Sequence, residues 1–223
     1  MQLKSAVAAL LLGSGPTQAV PARAITAPAI SDRYHITFSP ERTRLTLAYI
    51  RQHYDPAATS VHIQPRMVVL HWTASATLQQ ALAELMPERL SGRADIRRGG
   101  LLNVGAHYLV DRDGTIYRLI DDTLMARHVI GLNRAAIGIE NVGTNDLTAA
   151  QVRADTQLVE WLTTRHDLTT LIGHAEYGRF RGSTLWEERE LGYFTRKSDP
   201  GAAFMAQVRA ALAADGVRLR SAP

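Results

Sequence analysis

Short apolar runs alternate along the chain with longer segments whose apolar residues recur at helical spacing. Runs typical of strands lie at residues 67–72, 106–110, 115–120 and 136–142. The first is apolar on both alternating faces, which is typical of a strand buried within a sheet. The second and third flank Asp111-Arg112-Asp113-Gly114, which predicts a hairpin turn. Alternation in the fourth run places Ile137, Ile139 and Asn141 on one face and Gly138 and Glu140 on the other.

Four segments have the periodicity of amphipathic helices, at residues 40–53, 77–85, 148–166 and 201–214. The first begins with Ser39-Pro40-Glu41, which supplies an N-cap, a proline at the first helical position and an early acid. Thr148 is the predicted cap of the third helix, and residues 25–38 predict a loosely structured segment. Because strands and helices interleave without an internal repeat, we predict a single α/β domain with a mixed central sheet flanked by helices.

The first residues of the chain are typical of a secretory signal peptide, which we predict over residues 1–24. Lys4 supplies a positive n-region, residues 6–12 an apolar h-region, and Ala22-Arg23-Ala24 a small-x-small cleavage site. The apolar run is too short to span a bilayer, and no other segment approaches a membrane span. We therefore expect an exported protein, periplasmic or secreted, with no transmembrane segment after processing.

Composition narrows the chemistry that is available. The chain contains no cysteine, which excludes disulfides and thiolate metal ligands. Its formal net charge is +4, and it falls to about +2 when Lys4 and Arg23 are removed with the signal peptide. A positive charge of this size is too weak to indicate nucleic-acid binding. Basic residues cluster at residues 89–98, where Arg97 and Arg98 are candidates for bidentate capture of substrate carboxylates. A solvated loop face is the alternative interpretation of that cluster.

Lysine is rare in this chain. Of 25 basic residues only Lys4 and Lys197 are lysines, and Lys197 lies in Lys197-Ser198-Asp199-Pro200-Gly201. A lysine offers a compact ammonium with an adjustable pKa, whereas a guanidinium stays charged. Lys197 is therefore a candidate for chemistry, and chance survival on a solvated loop is the alternative.

The eight histidines divide into two groups. Four lie on or beside predicted strand ends, where open α/β sheets present ligands: His71, His107, His128 and His174. A catalytic zinc ion takes three protein ligands from His, Asp or Glu and leaves a fourth position to water. No local metal motif is present, and each histidine taken singly is more typical of a hydrogen-bonded core or surface residue.

Five motifs in order resemble one family. They are Val69-Leu70-His71-Trp72-Thr73, Ala106-His107-Tyr108 before Asp113-Gly114, Ile137-Gly138-Ile139-Glu140, Gly173-His174 and Lys197-Ser198-Asp199-Pro200-Gly201. Together they resemble the zinc-dependent N-acetylmuramoyl-L-alanine amidases, whose superfamily also contains phage lysozyme-type amidases and animal peptidoglycan recognition proteins. The resemblance covers roughly residues 66–205. It adds to the predicted fold a zinc site at one end of the sheet.

The resemblance implies a role for particular residues. It makes His71, His174 and Asp199 the ligands of Zn²⁺. It gives Lys197 the task of stabilising an oxyanion and Glu140 that of handling the proton of the attacking water. For Glu140 the alternative is a buried acid paired with an arginine. His128 falls where the family often has a histidine near the substrate, and a core or surface role stays open.

The resemblance also implies domain boundaries and a reaction. We expect an N-terminal extension with one helix at residues 25–65, an amidase domain at 66–214 and a C-terminal tail at 215–223. The expected reaction is hydrolysis of the amide between N-acetylmuramic acid and L-alanine in peptidoglycan or muropeptides. The complete ligand set favours an enzyme over a non-catalytic peptidoglycan-binding protein. A zinc peptidase that cuts within the stem peptide is the other alternative.

Overall fold

A six-stranded sheet organises the part of the chain that the structure, a computed structural model, describes: residues 24–223. Its strands are β1 (Ile30–Ser31), β2 (Met67–Trp72), β3 (Tyr108–Val110), β4 (Ile116–Arg118), β5 (Ala136–Asn141) and β6 (Thr170–Gly173). They lie in the order β1-β4-β3-β5-β2-β6, with β3 and β4 antiparallel and the other neighbours parallel. The prediction of an α/β domain with a mixed central sheet is confirmed.

Side-chain caps mark the starts of three of the four α-helices in the described part of the chain, including the two caps predicted from the sequence, Ser39 and Thr148. The helices are α1 (Pro40–His53), α2 (Leu78–Leu85), α3 (Ala149–Thr163) and α4 (Ala202–Ala214), with short 3₁₀ turns at Arg97–Gly99 and His174–Phe180. The side chains of Ser39, Thr77 and Thr148 accept hydrogen bonds from the backbone of the first turns of α1, α2 and α3. Such caps satisfy backbone N–H groups that have no partner inside the helix, which explains why helix starts are readable from sequence.

The sheet differs from the prediction in two places, a short strand at its edge and a hairpin whose strands are shortened. Strand β1 lies in the segment predicted to be loosely structured and pairs with β4 over two residues, which is too short to leave a periodic pattern. The hairpin strands are shorter than predicted because Leu119 and Ile120 both donate their backbone N–H to the carbonyl of His107. Two residues opposite one interrupt the regular ladder, as in a β-bulge.

The two faces of the sheet are covered differently. Val68, Leu70, Ile137 and Ile139 pack under α3 and α4, whereas Met67 and Val69 pack on the opposite side with α1. Because side chains alternate along a strand, the α1 side of the sheet also receives His71 from β2 and Gly138 and Glu140 from β5. The predicted division of β5 into two faces is confirmed.

The N-terminal helix shares the apolar core of the sheet. Leu45, Tyr49 and Ile50 of α1 are buried in one cluster with Met67 and Val69 of β2. Helix α1 is therefore packed against the sheet and does not form a separate body. Most of the predicted signal peptide, residues 1–23, lies outside the described residues. Within residues 24–223, no helix combines the length and the apolar character that a bilayer crossing requires.

Candidate metal centre

Parallel strands bring three candidate residues to the same edge of the sheet. In the β2–β5 pair His71 is in register with Glu140, and in the β2–β6 pair Leu70 is in register with Gly173. His174 follows Gly173 and so reaches the side of His71. The carboxyl ends of parallel strands form a common edge in open α/β sheets, which is where such folds bind ligands.

Asp199 joins this edge from the loop before α4. The backbone N–H of Ala175 donates to the carbonyl of Asp199 at 2.8 Å. Pro200 packs against Gly173 so closely that a Cβ on that glycine would lie 2.8 Å from Pro200 Cδ. The absence of a side chain at Gly173 therefore lets the proline turn approach β6 and carry the Asp199 carboxylate to the imidazoles.

The three side chains converge on one point. His71 Nδ1 and His174 Nδ1 are 2.9 Å apart, and Asp199 Oδ2 is 3.1 Å from His174 Nδ1 and 3.3 Å from His71 Nδ1. All three residues are buried. Within residues 24–223 they are the one group of three or more potential ligands whose donor atoms lie within 4.8 Å of one another.

The donor set and its spacing fit zinc. A tetrahedral zinc ion with ligand bonds of about 2.0–2.2 Å separates neighbouring ligand atoms by about 3.3–3.6 Å. The observed triangle is slightly tighter, so the side chains need to move apart by only a few tenths of an ångström. Two imidazoles and one carboxylate, with one side open to a cavity, form a ligand set typical of catalytic zinc sites.

The protonation of the cluster also suits a cation. Burial, reinforced by His71, lowers the pKa of His174 to about 4, so its imidazole is neutral at pH 7. Burial works against ionisation of Asp199, but the contacts with the rings of His174 and His71 outweigh it and hold the pKa of that carboxyl well below its usual range. Neutral imidazole and ionised carboxylate are the forms that bind a metal.

A cavity of about 390 Å³ opens on the cluster, and Glu140 and Lys197 line it with the three candidate ligands. Glu140 Oε2 is buried and has no hydrogen-bond partner among residues 24–223. Burial, and then the charge of Asp199, raise the pKa of Glu140 well above its usual range, while Lys197 opposes them. The structure thus brings both predicted proton-handling and charge-stabilising groups to the same cavity as the cluster.

His128 also lines the cavity, but both of its ring nitrogens have partners within the protein. His128 Nδ1 lies 3.0 Å from His71 Nε2, and His128 Nε2 lies 3.2 Å from the carbonyl oxygen of Ala136. Burial and the neighbouring histidines lower the pKa of His128 well below its usual range, which favours the neutral ring. His128 therefore faces the cavity, while contacts within the protein occupy both of its ring nitrogens.

The basic loop presents a different arginine from the pair singled out in the sequence. Arg97 and Arg98 are exposed and are not part of the cavity lining. The guanidinium of Arg98 donates to the carbonyl of Gly192 and lies over the ring of Tyr193. Arg93 lines the cavity instead. The 3₁₀ turn at Arg97–Gly99 directs the later arginines outward, which sequence spacing did not reveal.

Sequence reasoning missed Arg127, which builds one wall of the cavity. Its buried guanidinium donates to the carbonyls of Ile96 and Leu102 and to the hydroxyl of Tyr193, and it lies 4.8 Å from the centroid of the Tyr49 ring. These bonds attach the basic loop and the segment around Tyr193 to α1. Its neighbours come from distant parts of the chain, so no local pattern marks Arg127.

Comparisons with known proteins agree with the geometry. A family model described as N-acetylmuramoyl-L-alanine amidase matches residues 61–202. Peptidoglycan-recognition protein SC2 of Drosophila melanogaster is 30% identical over 97 residues, or 40% of this chain and 53% of that protein, so the match spans about half of the fly protein. The endolysin of Escherichia phage T7 is 30% identical over 105 residues, or 41% of this chain and 70% of the phage protein.

A solved structure has the same fold. The endolysin N-acetylmuramoyl-L-alanine amidase LysCS from Clostridium intestinale URNW aligns with a TM-score of 0.51 at 20% identity, over 87% of this chain and 100% of that chain. At this level of identity the likeness concerns the fold.

Proposed function

The chain belongs to the N-acetylmuramoyl-L-alanine amidase family, and we propose that it is a zinc-dependent hydrolase of the amide bond between N-acetylmuramic acid and L-alanine in peptidoglycan or muropeptides. The observation that carries the proposal is the convergence of His71, His174 and Asp199 on one point beside a cavity that Glu140 and Lys197 also line. A protein that only binds cell wall has no need of a buried carboxylate and an ammonium beside a complete ligand set.

We assign the zinc ligands to His71 Nδ1, His174 Nδ1 and Asp199 Oδ2. A zinc ion bound there supplies Lewis-acid activation of the amide carbonyl and of a water molecule. The protein holds the three ligands in place through the register of β2 with its two neighbours, β5 and β6, and through the turn that packs on Gly173. This rigid support keeps the ligand triangle nearly formed in advance.

Glu140 is the group that we expect to move protons. Its raised pKa makes the carboxylate a stronger base than an exposed glutamate, and its buried Oε2 has no competing partner in the described part of the chain. It takes a proton from the attacking water and then delivers one to the departing nitrogen of L-alanine. The same group thus serves as base in the first step and as acid in the second.

Lys197 is the group that we expect to stabilise negative charge. It is half-buried where the cavity passes beside Asp199. Its ammonium neutralises charge that develops on the carbonyl oxygen of the scissile amide. A preorganised donor of this kind lowers a barrier by about 3–4 kcal/mol in other hydrolases.

We assign recognition of a substrate carboxylate to Arg93. The cavity-lining arginine of the basic loop is held by a two-point contact to Asp95, with 3.1 Å between each pair of atoms. A guanidinium retains further donors for a second carboxylate, such as those of stem peptides.

With residues 1–24 as an export signal, the enzyme acts in the periplasm or after secretion, where peptidoglycan is accessible.

The reaction is tested with purified protein that lacks residues 1–24, assayed on intact sacculi and on soluble anhydro-muropeptide, with and without a chelator. We expect release of an intact peptide that begins with L-alanine, loss of release on chelation and recovery on adding zinc. A shorter peptide would identify a peptidase, and saturable binding to sacculi without release would identify a binding protein. Either result would overturn the proposal.

Variants separate the proposed roles. His71→Ala and Asp199→Ala should lose both zinc and turnover. Glu140→Ala and Lys197→Ala should keep zinc but lose about 10²–10³-fold in kcat, as expected for groups that act on the transition state. Arg196→Ala, which removes a neighbouring exposed charge outside the cavity lining, is the control and should retain wild-type kcat. Wild-type turnover in Lys197→Ala would return this lysine to a solvated-loop role.

A further inference from the structure

The ring of His128 connects a candidate zinc ligand to the main chain. His128 Nε2 lies 3.2 Å from the carbonyl oxygen of Ala136, and His128 Nδ1 lies 3.0 Å from His71 Nε2. His71 in turn directs Nδ1 toward His174 and Asp199. Both imidazoles are buried. Their four ring nitrogens therefore form one continuous chain from a backbone carbonyl to the metal-binding point.

The carbonyl at one end sets the direction of every hydrogen bond in this chain. A carbonyl oxygen only accepts, so His128 Nε2 must carry the proton. In a neutral imidazole the other nitrogen is then an acceptor, so His128 Nδ1 receives a hydrogen bond from His71 Nε2–H. His71 Nδ1 is left with its lone pair, which faces His174 Nδ1 at 2.9 Å and the acceptor Asp199 Oδ2 at 3.3 Å, an arrangement of acceptors that a shared cation satisfies. The opposite tautomer of His71 would place a proton where a cation binds.

We propose that His128 is a positioning residue that fixes His71 in the Nε2–H tautomer, so that the Nδ1 lone pair is presented to zinc. For the identity of the ion this inference rests on the proposed function. For the tautomer it rests only on the contacts of His128 and His71. The proposal replaces the predicted substrate contact of His128 with a role that acts through His71.

The surroundings of His128 hold its ring in this orientation. A Cβ on Gly138 would lie 2.7 Å from both Cγ and Nδ1 of His128, so the ring rests on a backbone that has no side chain there. Asn133 Oδ1 accepts hydrogen bonds from the backbone N–H groups of His128 and Val129, each at 2.8 Å. Glycine in a strand interior commonly marks a close approach of another group, and here that group is the His128 imidazole.

The test compares His128→Leu, which removes the acceptor, with His128→Asn, whose Oδ1 stands close to the position of Nδ1. Nitrogen NMR of histidine-labelled, metal-free protein at mildly alkaline pH reports the His71 tautomer, and titration with zinc alone reports affinity. We expect His128→Leu to populate the Nδ1–H tautomer of His71 and to weaken zinc binding about 10- to 100-fold, the usual effect of removing a partner of a metal ligand. His128→Asn should restore most of both.

His107→Leu is the matched control. His107 is buried more deeply than His128, and its ring centroid lies 5.7 Å away. Among residues 24–223 its ring nitrogens bond only the backbone N–H of Gly138 and the carbonyl of Leu124. We expect a comparable loss of thermal stability, with the His71 tautomer and zinc affinity close to wild type. Equal zinc affinities in His107→Leu and His128→Leu would overturn the proposal.

A second variant keeps the experiment decisive if His128→Leu fails to fold. Gly138→Ala leaves the imidazole in the protein but pushes it from its position, and we expect the same direction of change in tautomer and zinc affinity. An unchanged His71 tautomer in Gly138→Ala, or in His128→Leu where that variant folds, would overturn the proposal. The tautomer of His71 is measured in metal-free protein, without substrate, turnover or zinc. Failure of this proposal can therefore be distinguished from failure of the proposed function.

Discussion

Asp155 shows what burial does to a single residue beneath the site. Its Oδ2 accepts a hydrogen bond from Asn141 Nδ2 at 2.9 Å, and the same amide lies 3.3 Å from the carbonyl of His71. Asp155 Oδ1 and Asn141 Oδ1 are both buried, and neither has a hydrogen-bond partner within the part of the chain that the structure describes. Burial raises the pKa of Asp155 to about 7. Protonation turns one carboxyl oxygen into a donor, so the neutral acid suits this environment better than the anion.

We predict that Asp155 makes folding less favourable as pH rises. Its folded-state pKa lies above the unfolded value of 3.8. The contribution of Asp155 to the free energy of unfolding is therefore fully present below about pH 4. It is lost as pH rises through about 7, and the free energy of unfolding falls by a few kcal/mol in total. Asp155→Asn removes this titration. Urea unfolding of metal-free protein across that range should show wild-type stability falling relative to the variant, and parallel curves would contradict the prediction.

A surface aspartate provides the control of opposite sign. The backbone N–H of Thr144 lowers the pKa of the exposed Asp146. A depressed pKa contributes stability that is present above the unfolded value and lost as pH falls. Relative to Asp146→Asn, the wild type should therefore lose stability on acidification.

At the scale of elements, Gln151 ties the start of α3 to the ends of two strands. Its Oε1 accepts from the backbone N–H of Thr148, while its Nε2 donates to the carbonyls of Val142 and Val110. Thr148 completes the capping box by accepting from the backbone N–H of Gln151. One buried amide thus satisfies a helix N-terminus and two strand ends.

We predict that Gln151→Ala destabilises the fold more than Thr148→Ala. Removing the amide leaves one N–H and two carbonyls without this partner, at about 2–4 kcal/mol, whereas losing an N-cap hydroxyl typically costs about 1 kcal/mol. Gln151→Glu keeps an acceptor for the Thr148 N–H but loses the donor, so it should also be unstable at neutral pH. Chemical denaturation measures all three, and equal stabilities for the two alanine variants would count against this account.

At the scale of the whole molecule, α1 completes the domain and helps to hold the site. Its buried residues share a core with β2, and Tyr54 at its end accepts a 2.7 Å hydrogen bond from Asn133. Asn133 in turn holds the backbone of His128. The matched family region begins at residue 61, after this helix.

We therefore predict that a fragment starting at residue 61 does not fold cooperatively. Loss of α1 would expose the apolar side of the sheet that Leu45, Tyr49 and Ile50 cover. Near-ultraviolet circular dichroism and thermal unfolding measure the effect. Removal of residues 24–28 alone, which are mostly exposed, serves as the control and should leave the transition intact. A fragment 61–223 with a wild-type transition would show that α1 is dispensable.

Local features of the sequence predict most of the elements. Ser39, Thr77 and Thr148 each cap a helix at its predicted start, and β2 has its predicted bounds. These features depend on neighbours within a few residues, which is why sequence reasoning finds them. Strand β1 escaped prediction because a pairing of only two residues leaves no periodic pattern.

The sequence by itself determined the residue types of the site, the helix caps and the alternation that assigns each strand residue to a face. Only the tertiary structure decided which of them meet. His71 and His174 are separated by 103 residues, yet strand register places their nitrogens 2.9 Å apart. The same long-range packing turns Arg98 away, brings Arg93 to the cavity and engages both nitrogens of His128. Such contacts depend on register and burial between distant segments, which local periodicity does not encode.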